Sequence, residues 1–388
     1  MTPLSIQSRL PDVGTTIFAV MSQKAQQHGA LNLAQGFPDF ECPAALRERV
    51  ERAMAAGWNQ YAPMPGLPAL REAIAAKIRA LYGAGVDADA EVTVSSGATE
   101  ALFVAIQAAV RPGDEVIVFD PAYDSYDPAV RLAGGHCIHL PLLAPDYGID
   151  FDRLTDVLSS RTRMIIINSP HNPTGAVISR DALDRLAECL RGTDVLVVSD
   201  EVYEHIVFDG RGHESVLAHP ELRARSFAVF SFGKTYHTTG WKIGYCVAPA
   251  ALSAEFRKVH QFTTFSVSTP MQHAIAGFMA ESDVHLELPA FYQARRDRFR
   301  DALDGSRWAL LPCPGTYFQL LDYSAISDRP DTDMADWLTE HAGVASIPIS
   351  VFFADGRDDH VLRFCFAKTD DTLAEATRRL MAVSTAPT

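Results

Sequence analysis

The 388-residue chain has little positive charge: 34 Lys and Arg stand against 48 Asp and Glu, a formal net charge of −14. A nucleic-acid binder needs a basic face, so that class is set aside, although a local basic pocket for a small anion is still allowed. The six cysteines, Cys42, Cys137, Cys189, Cys246, Cys313 and Cys365, are scattered and form no C-x-x-C. Several sit in apolar runs such as "GYCVAP" and "RFCFAK", which reads as buried thiols in a reducing compartment. No apolar run is long enough to cross a bilayer. The opening "MTPLSIQSRLPDVGTTIFAV" has no basic flank followed by an apolar core, so no secretory leader is expected. G-x-x-x-x-G-K-[ST], a strand-end G-x-G-x-x-G and H-E-x-x-H are missing too. His136 and His139 lie on a strand-like run without a pattern of acidic partners, so no metal site is expected. The acids around His205 in "SDEVYEHI" read as a turn or helix face. The expectation is a soluble, cytoplasmic protein without a membrane or nucleic-acid partner.

What is present is apolar patterning. Hydrophobic residues make up 47% of the chain, and a chain of this length buries roughly three quarters of its unfolded surface, so it needs no disulfide or metal staple. Short Val- and Ile-rich runs, "EVTVSS", "EVIVF", "RMIIIN", "VLVVSD" and "FAVFSF", are bounded by Gly, Pro, Asp or Ser. That composition predicts strands buried on both faces of a mainly parallel sheet. Helical patterns lie between them, such as "TEALFVAIQAAV" and "SRDALDRLAECLRG". The latter has Ser179 as N-cap and Gly192 just past its end. The alternation predicts an α/β domain with helices on both faces. Near Glu281 the pattern changes. "DVHLELPAFYQARRDRFRDALDG" reads as a charged helix, followed by "WALLPCPGTYFQLLDYS", a helix around Asp333–His341, "VLRFCFAK" and a closing helix from Asp370. This predicts a large domain over 45–285 and a smaller α+β domain from 286–388 joined by 1–44, whose first residues cross to it or cover the site.

Ligands of open α/β sheets bind beyond the carboxyl ends of the strands. The residues just after each predicted strand are Gly97-Ala98-Thr99, Tyr123, Asn172, Asp200 with Tyr203, and Ser231 with Lys234. Alone, each has an ordinary reading: Lys234 a surface charge, Asp200 a cap, Asn172 a turn residue in "NPTG", Tyr123 a plug at the sheet edge. Together they match the needs of pyridoxal 5'-phosphate. Its aldehyde requires a lysine amine, and its pyridine nitrogen requires a carboxylate that keeps the ring electron-withdrawing. Its phosphate requires N–H groups at a helix start and a cation.

In order along the chain, "LNLAQGFPDF", "NQYAPMPGLPALREAIA", "SSGATEAL", "FDPAYDSYDPA", "NSPHNPTGAV", "SDEVYEHIVF", "SFGKTYHTTGWKIGYCVAP" and "LRFCFAK" resemble the class I/II pyridoxal-phosphate aminotransferases of fold type I. The resemblance runs from near Leu10 to near Leu380, and it is to the branch with methionine and kynurenine/glutamine aminotransferases. It implies that Lys234 holds the cofactor aldehyde and moves the proton, and that Asp200 pairs with the ring nitrogen. It implies that Asn172 and Tyr203 hold the ring oxygen and that Tyr123 stacks on the ring. Gly97, Ala98, Thr99, Ser231 and Lys242 would receive the phosphate, with Tyr61 supplied by the other subunit of a homodimer. Arg363 would grip the substrate carboxylate with the Gly36 backbone and Asn172. Ile17 and Phe18, with Tyr61 and Phe265 from the dimer, would wall the side-chain pocket. Many relatives outside this branch have Arg where Lys242 stands; a lysine is a point charge, so its grip on phosphate is less oriented.

The implied function is ping-pong transfer of an amino group from methionine, and from aromatic amino acids or glutamine, to a 2-oxo acid. A kynurenine/glutamine aminotransferase with cysteine-S-conjugate β-lyase activity stays open as the alternative. A ligand-sensing regulator on the same fold would need an added DNA-binding module, and the family pattern leaves no room for one.

Overall fold

The computed structural model describes residues 6–385. Seven strands form the large sheet. From edge to edge they are Val92–Ser95, Gly244–Val247, Ser226–Ser231, Leu196–Asp200, Thr162–Asn168, Glu115–Asp120 and His136–Pro141. Neighbours are parallel except where Gly244–Val247 meets its two partners. The sheet is buried on both faces because successive side chains point opposite ways. Ile165 and Ile167 enter one apolar cluster, while Met164 and Ile166 enter the cluster on the other face. That two-sided burial is why these strands read as unbroken apolar runs.

Helices follow the local signals. Ser179 accepts from the Ala182 N–H and caps Arg180–Cys189. The helix Gly97–Ala109 buries Ala101, Leu102, Ala105 and Ile106 against the sheet. The charged helix is shorter than the pattern suggested. It runs Leu288–Asp301 with Pro289 in its first turn, preceded by a tight turn at Val284–Glu287. A proline lacks the N–H that a helix interior requires, so it marks the start. The helix expected around Asp333–His341 is Asp331–Trp337, which loosens into a wider turn over Leu338–Ala342.

A second, antiparallel sheet has the order Ile347–Pro348, Val361–Cys365, Phe318–Asp322, Ala309–Leu310. The N-terminal segment does cross over: Leu31–Asn32 pairs in parallel with Val344–Ala345, and Cys365 N–H donates to Leu33 O at 2.8 Å. Residues 34–36 thereby lie against the strand that carries Arg363. In the large sheet the chain runs outward from Glu115–Asp120 to His136–Pro141, then returns to the opposite side at Thr162–Asn168. Such a reversal leaves a crevice beyond the strand ends.

Candidate active site

One cavity occupies that crevice. Phe18, Gly36, Gly97, Ala98, Thr99, Tyr123, Asn172, Asp200, Tyr203, Ser231, Lys234, Lys242 and Arg363 all line it. Three predicted residues do not. Tyr61 is 82% exposed and meets the half-exposed Phe265 edge-on, ring centroids 5.4 Å apart, outside the cavity. Ile17 packs on the core instead. Within one chain only Phe18, of the four expected wall residues, faces the cavity.

Asp200 ends its strand paired in register with Asn168. Its backbone carbonyl accepts from Asn168 Nδ2 at 2.8 Å, and Asn168 Oδ1 accepts the Asn172 N–H at 2.8 Å. The strand ends are thus laced into one rigid edge. Asp200 Oδ2 accepts from the Tyr126 hydroxyl at 2.6 Å. Burial pushes the Asp200 carboxyl up to about 6, and the Tyr126 bond and the Val202 N–H oppose that rise. A buried carboxylate of this kind suits a cationic ring nitrogen.

Lys234 sits in the short helix Phe232–Thr235, directly after its strand. Its Nζ donates to the Tyr317 hydroxyl at 2.9 Å and to Gly36 O at 3.3 Å. Desolvation lowers its pKa to about 8, and the Lys242 and Arg363 cations act in the same direction. Near neutrality a useful fraction of the amine is therefore free to attack a carbonyl carbon.

Lys242 adopts φ 55°, and Gly97 opens its helix at φ 76°. The Lys242 ammonium pairs with no carboxylate among the described residues; it lies where a Cβ on Gly97 would stand, 3.2 Å from Nζ. A cation beside a helix N-terminus is unfavourable unless an anion sits between them. The arrangement is a cradle for a phosphate-sized anion, and glycine at 97 keeps it open. Tyr123 lies alongside, hydrogen-bonded with Thr99, and burial raises its phenol to about 12.

Arg363 is fully buried on the second sheet. It donates to Asn172 Oδ1 at 2.7 Å and to Ala34 O at 2.9 Å, while its Nε has no partner. The guanidinium lies 4.0 Å from the centre of the Phe318 ring and 5.2 Å from that of Phe18. A buried cation with an orphaned donor is costly unless a ligand carboxylate completes it.

The cavity therefore presents an amine, a buried carboxylate and an anion cradle from separate ends of the large sheet's strands, and an arginine for a carboxylate from within a strand of the second sheet. The family model for "Aminotransferase class I and II" matches residues 29–380. The chain belongs to the class I and II aminotransferases. It is 55% identical to the methionine aminotransferase of Escherichia coli K12 over 97% of this chain and 98% of that protein. It is 40% identical to a probable N-succinyldiaminopimelate aminotransferase of Mycobacterium tuberculosis, over 98% and 99%. The crystal structure of YbdL from Escherichia coli, described as having a methionine aminotransferase function, superposes with a TM-score of 0.96 at 54% identity, covering 98% and 100% of the two chains. The enzyme is a transaminase of fold type I: an α/β large sheet plus a smaller antiparallel one. No helix among the described residues is long and apolar enough to cross a membrane.

Some of this aminotransferase's site escaped the sequence reading. Tyr126 lies three residues beyond Tyr123 in the quoted "DPAYDSY", and the strand-end rule selects only the first. Tyr317 has no local signal at all. One histidine reading needs correction. His139 does have acidic partners, Asp120 Oδ1 at 2.8 Å from Nδ1 and Asp127 Oδ1 at 3.9 Å from Nε2. Asp127, Cys137 and His139 form a group of ligating type. Arg131 already pairs with Asp127 at 3.2 Å, so the cluster is satisfied as an ion network. The partners come from a neighbouring strand end and a helix, which linear spacing does not reveal. Around His205 the expected turn is present, over 202–205, and it is buried: Glu204 pairs with Lys77 and accepts from Tyr82.

Proposed function

We propose that this aminotransferase moves the amino group of methionine to a 2-oxo acid with pyridoxal 5'-phosphate, in a site completed by a second copy of the chain. The donor set suits that cofactor. Lys234 and Asp200 would hold its aldehyde and ring nitrogen. The Gly97–Thr99 helix start, Ser231 and Lys242 would take its phosphate, and Asn172, Tyr203 and Tyr123 its ring. When bound, the cofactor carries the amino group and delocalises the electron pair left at Cα. Asp200, in its buried setting, keeps a negative charge opposite the ring. Arg363 and Asn172 orient the substrate carboxylate. Lys234 takes the Cα proton and later returns it, and walls of Phe18 and Phe318 exclude water.

The single observation behind the choice of donor is the aromatic surround of Arg363. Phe18, Phe318 and Phe352 lie against it, and the cations lining the cavity are Lys234, Lys242 and Arg363, each with a task already. A second substrate carboxylate would be desolvated without a partner, at several kcal/mol. A thioether gains burial and packs well on ring edges. The identity to the E. coli methionine enzyme supports the same reading. The kynurenine alternative draws on relatives such as the mouse kynurenine–oxoglutarate transaminase 3, 33% identical over 95% and 88% of the two chains, and is less well supported. We divide the chain into 45–285 and 1–44 with 286–388, and place it in the cytoplasm, a setting that suits its six free cysteines. Measuring kcat/KM for methionine and aspartate with one common acceptor tests the donor. Methionine should lead by at least ~100-fold, and an aspartate value equal to or above it refutes the apolar pocket.

A further inference from the structure

The geometry points to Tyr317 as a catalytic residue: its hydroxyl oxygen accepts the Lys234 N–H and holds the ammonium formed when Lys234 takes the Cα proton. This inference rests on the proposed function, since it concerns the same proton transfer.

The direction of each hydrogen bond is fixed. Gly36 O can only accept, and the Tyr317 hydroxyl lies 2.6 Å from it. The single hydroxyl proton therefore points to Gly36, leaving one oxygen lone pair for Lys234 Nζ at 2.9 Å and the other for the neighbouring Tyr203 hydroxyl. Lys234 meets no carboxylate at ion-pair distance among the described residues; its two hydrogen-bond acceptors are this hydroxyl and Gly36 O. Other titratable and charged groups around Nζ are Asp200, Tyr203, Lys242, Arg363 and Cys365.

The step itself transfers one proton. The Cα–H bond breaks, its electron pair stays on the carbon side, and a third N–H bond forms on Lys234. The new positive charge appears in a desolvated pocket that already holds Arg363 and Lys242. Without an acceptor it would be resisted by both burial and repulsion. A preorganised lone pair at hydrogen-bond distance stabilises charge as it develops and costs no reorganisation.

The phenol is well placed to be preorganised. Tyr317 is fully buried. Tyr203 packs edge-on at 5.2 Å, and Tyr292 lies 5.6 Å away. The preceding turn is closely packed: a Cβ on Gly315 would come within 2.8 Å of Pro170.

Tyr317→Phe keeps the ring and deletes the oxygen. In the cofactor-free full-length chain, the rate of ¹³C-formaldehyde methylation of Lys234, read by peptide mass spectrometry, should reach half-maximum about one pH unit lower than in the parent, as expected for an ammonium that loses one charged hydrogen bond. In the loaded enzyme, the Cα–H step measured with α-deuterated methionine should slow at least ~10-fold with a larger isotope effect. The affinity for α-methylmethionine, which has no Cα proton to lose, should stay within about twofold. Should Tyr317→Phe fold poorly, 3-fluorotyrosine at 317 keeps the shape with a poorer acceptor and should shift both readouts partway. An unmoved methylation midpoint overturns the inference. So does a loss confined to analogue affinity, which would make Tyr317 a brace for the Gly36 loop alone. If the parent chain fails to take up pyridoxal phosphate, the proposed function falls, while the methylation arm still decides what Tyr317 does for Lys234.

Discussion

Tyr126→Phe removes one hydroxyl and nothing else from the wall behind Asp200. The lost bond is a 2.6 Å donation into a buried carboxylate, and bonds to charged groups contribute about 1.5–3 kcal/mol. Since one pKa unit corresponds to about 1.4 kcal/mol, the Asp200 carboxyl should rise by roughly one to two units. It begins at about 6, so it should arrive at about 7 to 8. The carboxylate is the form that faces a cationic ring nitrogen, and below its pKa that form is scarce. At pH 8.5 both proteins are largely ionised before binding, and their affinities for pyridoxal phosphate should nearly agree. At pH 6 the parent is about half ionised and the variant only ~1–10%, so the variant should bind about tenfold more weakly. Equilibrium dialysis of the two proteins from pH 5.5 to 8.5 gives the ratio directly. A ratio that does not widen as the pH falls would refute the coupling of Tyr126 to Asp200.

Lys234→Ala should leave no lysine link to the cofactor that borohydride can reduce, and no turnover; retention of such a link would remove Lys234 from its role. Asp200→Ala should slow the Cα proton step by at least ~100-fold with saturating cofactor, in line with the loss of one preorganised charge, and near-normal turnover would contradict it. If Tyr61 and Phe265 complete a neighbour's site, as a two-fold dimer allows, then active enzyme should sediment as a dimer. A fully active monomer would end the shared-site reading.

The parts of the fold that the sequence showed are those in which local chemistry and tertiary placement coincide. A strand covered on both faces must be apolar along its length, so "RMIIIN" and "VLVVSD" could be read directly as Thr162–Asn168 and Leu196–Asp200. The polar residue after each such strand is then conspicuous, which exposes Asp200, Asn172 and Lys234. Arg363 is different. It lies within an apolar strand and is fully buried, a position that only the family resemblance could mark. Tyr61 and Phe265 pair with each other on the surface, and nothing in one chain brings them to the cavity.

Tyr126 and Tyr317 show where such reading stops. The chain has eleven tyrosines, and an aromatic residue beside an apolar run is first of all a packing residue. What distinguishes these two is the partner of each hydroxyl. Tyr126 meets a carboxylate 74 positions away, and Tyr317 meets a carbonyl 281 positions away. The Asp200 carboxylate and the Gly36 carbonyl can only accept, so each hydroxyl proton has one destination and each oxygen keeps its lone pairs for something else. At Tyr126 the donated proton favours the anionic form of Asp200. At Tyr317 a remaining lone pair would, under the proposed function, favour an ammonium on Lys234. One site thereby holds charges of both signs with two neutral phenols, and adds no further ion that would compete for the substrate's carboxylate.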